Sequence, residues 1–209
     1  MSPALDAVLP GARFAERHRR TVGVSPEATW DAVLHCTGRE IRALGPLMAI
    51  RMLPAALAGR RGDGPAASDP RPILSVFADA GWTWAGRDER PDGGAASLAM
   101  VAVGRFWSPT GYQPVPIDSV EAFEAFSTPG YVKAGFELAV APHPEGTLVT
   151  TETRVAPTDR RAARAFGAYW VLIRMPSGLI RRSWLAAIAR RAAAEPTGAG
   201  PAGSDPSAV

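Results

Sequence analysis

The sequence predicts an α+β domain in which an antiparallel sheet is covered by one long C-terminal helix. Three observations predict it. Apolar residues recur at every second position in the middle of the chain and at every third or fourth near its end. The turn sequences PDGG (91–94) and PHPEG (142–146) separate the middle segments into hairpins. Phe166, Trp170, Ile173, Ile180, Trp184 and Ile188 place one apolar, aromatic-rich face on the last segment. A sheet with an apolar face must be covered, and that helix is the natural cover.

Residues 1–12 read as a flexible lead-in, and 13–24 as the first strand. Ser25 offers an N-cap, Pro26 suits the first helical position and Glu27 favours the positive helix end, so a short helix follows over 26–36. Trp30, Val33 and Leu34 form its apolar side, with Trp30 fixing the helix to the core. A second helical pattern covers 39–58, with Ile41, Leu44, Met48 and Met52 as its stripe and Pro46 and Pro54 as breaks. Composition makes 59–72 a mobile loop. Residues 73–79 are ambiguous between strand and helical turn, 81–90 read as a strand, and 95–107 as a strand apolar on both faces. A short helical piece (119–126) precedes the strands 131–140 and 147–155. The last helix spans 159–194, kinked or divided at Pro176-Ser-Gly178, and 195–209 forms a disordered tail.

The chain has 209 residues, a length that suits one domain, and a net charge of +3, too small to imply nucleic-acid binding. Lys133 is the only lysine, so 22 of the 23 basic residues are arginine. Eight arginines fall in 158–195 against Asp159 and Glu195, leaving a slightly acidic body and a basic helix. Cys36 is the only cysteine, which excludes an intramolecular disulfide and a multi-cysteine zinc site. His18, His35 and His143 have no metal-ligand spacing, so neither a metal nor a cofactor is expected. No stretch of 18 uncharged apolar residues and no secretory leader occurs, and a cytoplasmic location is the expectation.

The run Val22-Gly-Val-Ser-Pro-Glu-Ala-Thr-Trp-Asp-Ala-Val33 resembles the opening of the START-like (SRPBCC) superfamily, which includes polyketide cyclases/dehydratases and lipid-transfer proteins. The segment Thr151-Glu-Thr-Arg-Val155 and the later Phe166, Tyr169-Trp170 and Ser177-Gly-Leu-Ile-Arg-Arg182 look like an uncharacterised bacterial branch of it. The resemblance covers 13–194, with 39–72 longer than in compact members. It implies a helix-grip fold, in which a curved antiparallel sheet wraps a long C-terminal helix, with two shorter helices after the first strand. It also implies an apolar cavity between sheet and helix for a small hydrophobic or amphipathic, lipid- or polyketide-like ligand. Trp82, Trp84, Phe106, Trp107 and Phe136, with Tyr169, Trp170 and Ile173 from the helix, are the candidate lining. The superfamily has no universal catalytic motif, so the resemblance assigns no catalytic residue.

Candidate chemistry rests on strand parity. Glu152 and Arg154 share a strand face. On the concave side they could anchor a ligand or, assisted by Tyr131, serve a cyclase/dehydratase reaction. On the convex side they form a surface pair. Lys133 and Glu137 are expected in solvent, and Arg105 beside Trp107 could close a pocket or stack. The arginines of the last helix read as a solvated face, or as a surface for an anionic membrane.

Overall fold

A computed structural model describes residues 3–49, 67–90, 94–108 and 114–194. The expectations for 50–58, for most of the 59–72 loop and for the 195–209 tail lie outside these residues. The elements run α1 (Pro3–Val8), β1 (Phe14–Val22), α2 (Pro26–His35), a 3-10 turn (Gly38–Glu40), α3 (44–49 as far as described), α4 (Ile73–Asp79), β2 (Thr83–Arg90), β3 (Ala95–Gly104), β4 (Pro114–Val115), α5 (Val120–Ala125), β5 (Val132–His143), β6 (Gly146–Pro157) and α6 (Arg160–Ala194). All pairings are antiparallel, in the order β1-β6-β5-β3-β2, with β4 added beside β3. The result is a curved six-stranded sheet and a long terminal helix in a helix-grip arrangement.

Local chemistry explains most boundaries. Ser25 Oγ accepts the Ala28 N–H at 3.3 Å and caps α2 behind Pro26. Ser119 Oγ does the same for α5 through Ala122 N. The apolar positions Ile73, Leu74, Val76 and Phe77 have helical spacing, which resolves 73–79 as α4. Gly146 closes the β5–β6 hairpin at φ 123°, a conformation that favours glycine. The interior of β3, Leu98–Val103, is inaccessible on both faces, as its unbroken apolar run predicts.

Both faces of the sheet are covered. α6 lies on the concave face, where Phe136, Leu138 and Val149 pack with Trp184, Leu185 and Ile188. Toward the N-terminal half of α6, Phe166 joins Val132, Ala134 and Val155 in a second cluster. α6 is one helix through Pro176. Proline there removes the N–H that reaches back to the Leu172 carbonyl, but helix resumes on either side.

The lead-in is a correction. Residues 3–8 form α1, and Leu5, Val8 and Leu9 bury themselves on the convex face with Ala99, Val101, Val103 and Phe123. The reason is a hole in the sheet: a Cβ on Gly135 would lie 2.8 Å from Leu5 Cδ2 and 3.0 Å from Leu9 Cδ1. The missing side chain is the seat for α1.

Candidate functional site

Face assignment decides the first candidates. Arg17, Glu137, Glu152 and Arg154 belong to the convex face, under and beside α1. Glu152 is buried and accepts from Arg17 Nε at 2.7 Å and from Arg154 Nε at 2.6 Å; Arg17 Nη2 also bonds it. Arg154 continues to Asp6 of α1, with Nη2 to Oδ1 at 2.7 Å. Burial pulls the Arg154 guanidinium down, but the Glu152 and Asp6 carboxylates outweigh it and hold it above its ordinary value. Glu137 pairs directly across the ladder with Glu152, and its Oε2 accepts the Leu5 N–H at 3.4 Å. The expectation of a solvent-facing Glu137 is therefore corrected: α1, invisible as a helix in the lead-in, covers it. Lys133 is half-buried, its Nζ 4.9 Å from the Phe123 ring centroid and donating to the Glu124 carbonyl at 2.8 Å.

Tyr131 also lies with the convex cluster, under the Arg105 guanidinium at 4.5 Å. Glu152, Arg154 and Tyr131 are thus removed from the concave side, and the pair forms part of a closed ion network. Arg105 stacks on Tyr131, donates to the Gly130 carbonyl at 3.1 Å, and with Trp107 lines a hollow at the start of α6.

The aromatic candidates divide. Trp82 packs between Phe77 and Phe136 at 5.6 and 5.2 Å between centroids. Phe106 and Trp107 leave β3 in a turn, and with Trp170 they fill the cluster around Phe166. Trp84 pairs with the concave-face residue Met100, but β2 is the strand at the sheet edge and Trp84 is 42% exposed, so it does not share the interior with Trp82.

Phe77, Phe136 and Trp184 close the space directly over the sheet, with Phe77 stacked on Trp184 at 5.9 Å. The cavity lies instead on the helical flank. It has a volume of about 480 Å³ and is walled by Ile41, Leu44, Leu47 and Met48, by Ile73 and Phe77 of α4, and by α6. Tyr169 and Ile173 line it; of the other candidates, Phe136 supports Arg181 and Trp184 from below. The expected cavity is therefore displaced from the sheet–helix gap to the groove between α6 and the helices after β1. Aromatic side chains filled the gap.

Arg181 is the residue that the outer-face reading of the arginines missed. It lines the cavity, its Nη1 is enclosed, and burial pushes its pKa down to about 10 against the opposing attraction of Glu16. A signal was present: Tyr169, Ile173, Ser177 and Arg181 recur every four residues, so Arg181 stands on the lining face. Two other arginines of α6 are also engaged. Arg191 bonds Glu40 at 3.3 Å and Arg190 the Glu40 carbonyl at 2.8 Å, tying the 3-10 turn to the helix.

Cys36 is buried, and burial pushes its thiol up to about 12, so it stays protonated. Among the described residues no cluster of three His, Cys, Asp or Glu side chains could hold a metal. A second hollow, at the start of α6, has partnered polar groups: Asp159 accepts from Ala162 and Gly130, and Arg105 is bound to Gly130.

No family model matches the chain, and no curated protein matches it. Among solved structures, protein CV1439 from Chromobacterium violaceum is similar over 84% of this chain and 97% of its own, at 14% identity and a TM-score of 0.26. That likeness is too loose to extend the fold or the site.

Proposed function

We propose that the protein binds a small hydrophobic or amphipathic ligand in the cavity between α6 and the α3–α4 flank, as a START-like domain of the lipid- and polyketide-binding type. The observation that carries this reading is the cavity: about 480 Å³, walled almost wholly by apolar side chains. Small-molecule sites run from roughly 300 to 1,000 Å³ and are mostly apolar with a few placed polar groups. The element order and the concave sheet over α6 support the superfamily assignment. The cyclase/dehydratase alternative lacks a carboxylate, histidine or lysine among the described lining residues. A neutral apolar dye such as Nile red is expected to bind one per protein, with native mass spectrometry checking for a co-purified ligand. Ile173→Trp, which fills the cavity, is expected to abolish dye binding; a wild type that binds no dye would sink the reading.

One observation favours a second reading, docking on an anionic membrane surface. Val171, Leu172, Met175 and Leu179 are 79%, 75%, 79% and 52% exposed on α6, flanked by the exposed Arg164, Arg174 and Arg182. Exposed apolar side chains between arginines suit an interfacial helix. Leu172 also lines the cavity, so the docking surface and the ligand site would meet. No described helix is long and apolar enough to cross a membrane. Co-sedimentation with phosphatidylglycerol vesicles at low salt, weakened by Met175→Asp, is the expected result; equal retention on neutral vesicles would remove the role of the arginines.

A further inference from the structure

Among the described lining residues the cavity holds one charge, the Arg181 guanidinium. Nη1 is enclosed and makes no hydrogen bond. The guanidinium carbon lies 5.2 Å from the Phe136 ring centroid and 5.6 Å from that of Trp184. Glu16 is near enough to act on it electrostatically, but no ion pair joins them, and Glu16 Oε1 is 2.8 Å from His18 Nε2. Trp184 Nε1 is a second enclosed donor with no acceptor.

A guanidinium has five donors and no acceptor. Burying its charge without an anion is costly, and aromatic faces replace only part of the lost hydration. A donor held this way in an apolar cavity is completed by a ligand that brings the acceptor. The charge persists at neutral pH, because a value of about 10 still leaves the group cationic.

We propose that the ligand is a monoanionic amphiphile: an apolar chain ended by one carboxylate, with the carboxylate on Arg181 and the chain along Ile41, Leu44, Met48 and Ile173. This rests on the cavity-binding reading and adds the headgroup to it. One negative charge fits better than two. No second basic side chain lines the cavity among the described residues, so a dianionic phosphate monoester would keep one charge uncompensated. The indole N–H of Trp184 is the available second donor for a carboxylate.

Calorimetric titration with decanoate, 1-decanol and decyl phosphate at neutral pH tests this. Wild type is expected to bind decanoate at least about tenfold more tightly than 1-decanol, a difference of ~1.4 kcal/mol, and no less tightly than decyl phosphate. Arg181→Met is expected to bring the decanoate-to-decanol ratio close to one by weakening decanoate alone. Arg181→Lys, which keeps the charge without the planar fork, should hold an intermediate ratio. Equal affinity for decanoate and decanol in wild type overturns the headgroup assignment and leaves the cavity reading standing. Tighter binding of decyl phosphate overturns the single-charge assignment. Binding of none of the three overturns both readings. The wild-type ratio decides the matter even if Arg181→Met does not fold.

Discussion

The two faces of the sheet bury charge in opposite ways. On the convex face Glu152, Arg154, Arg17 and Asp6 form a chain in which each charge has an opposite partner at hydrogen-bond distance. On the concave side Arg181 has two aromatic rings and no anion in bonding contact. A closed network answers its own desolvation and holds parts of a fold in place; an open one needs something from outside. The most conspicuous ion cluster, around Glu152, is therefore the poorer candidate for function, and a single arginine among apolar side chains is the better one.

The largest effect on this contrast should come from Trp184→Ala. Trp184 is 2% exposed and packs on Phe77 and Phe136, so its loss should cost roughly 3–5 kcal/mol in chemical denaturation. Any protein still folded should bind a bulkier dye, because the cavity opens toward the sheet. Glu152→Ala comes next. It removes one of the two carboxylates that Arg154 holds, leaving Asp6, and should cost up to about 3 kcal/mol. Ligand affinity should stay unchanged; a loss of binding without unfolding would break the division between the faces. Leu5→Ala should cost roughly 2–3 kcal/mol by emptying the seat over Gly135, again with no effect on binding.

The smallest effect concerns pH. Burial pushes the Glu40 carboxyl up, but the Thr37 N–H and hydroxyl together with Arg191 outweigh it and hold it below its ordinary 4.5. A lowered folded-state pKa gives stability that is complete above 4.5 and fades as pH falls through the lower value. Glu40→Gln should flatten that acid slope in a pH series of thermal melts. The same change should loosen the 3-10 turn that joins the cavity wall to α6.

Much of the fold was legible because its signals are local. The cap at Ser25-Pro26, the hairpin at Gly146 and the stripe on α6 each follow from a few neighbouring residues, and the observed elements start and stop close to where those signals stand. The lead-in was not legible: six residues give too short a helical pattern to be read, and α1 exists because Gly135 receives Leu5. The exposure of Trp84 was not legible either, because it follows from β2 lying at the edge of the sheet. For Arg181 charge alone suggests solvent, whereas its four-residue spacing from Ser177 places it on the inner face.

By itself the sequence determined most of the elements after the lead-in, their order, and which neighbouring strand residues share a face, because periodicity and turn chemistry act over a few positions. Strand parity put Glu152 and Arg154 together but could not say which way the sheet would curve around them. That was decided by what packs on each side, α1 over Gly135 and α6 over Phe136, contacts between residues far apart in the chain, such as Leu5 with Gly135 and Trp184 with Phe136. The position of the cavity was decided in the same way. Large aromatic side chains filled the space above the sheet, and the room that remained lay on the helical flank beside Arg181.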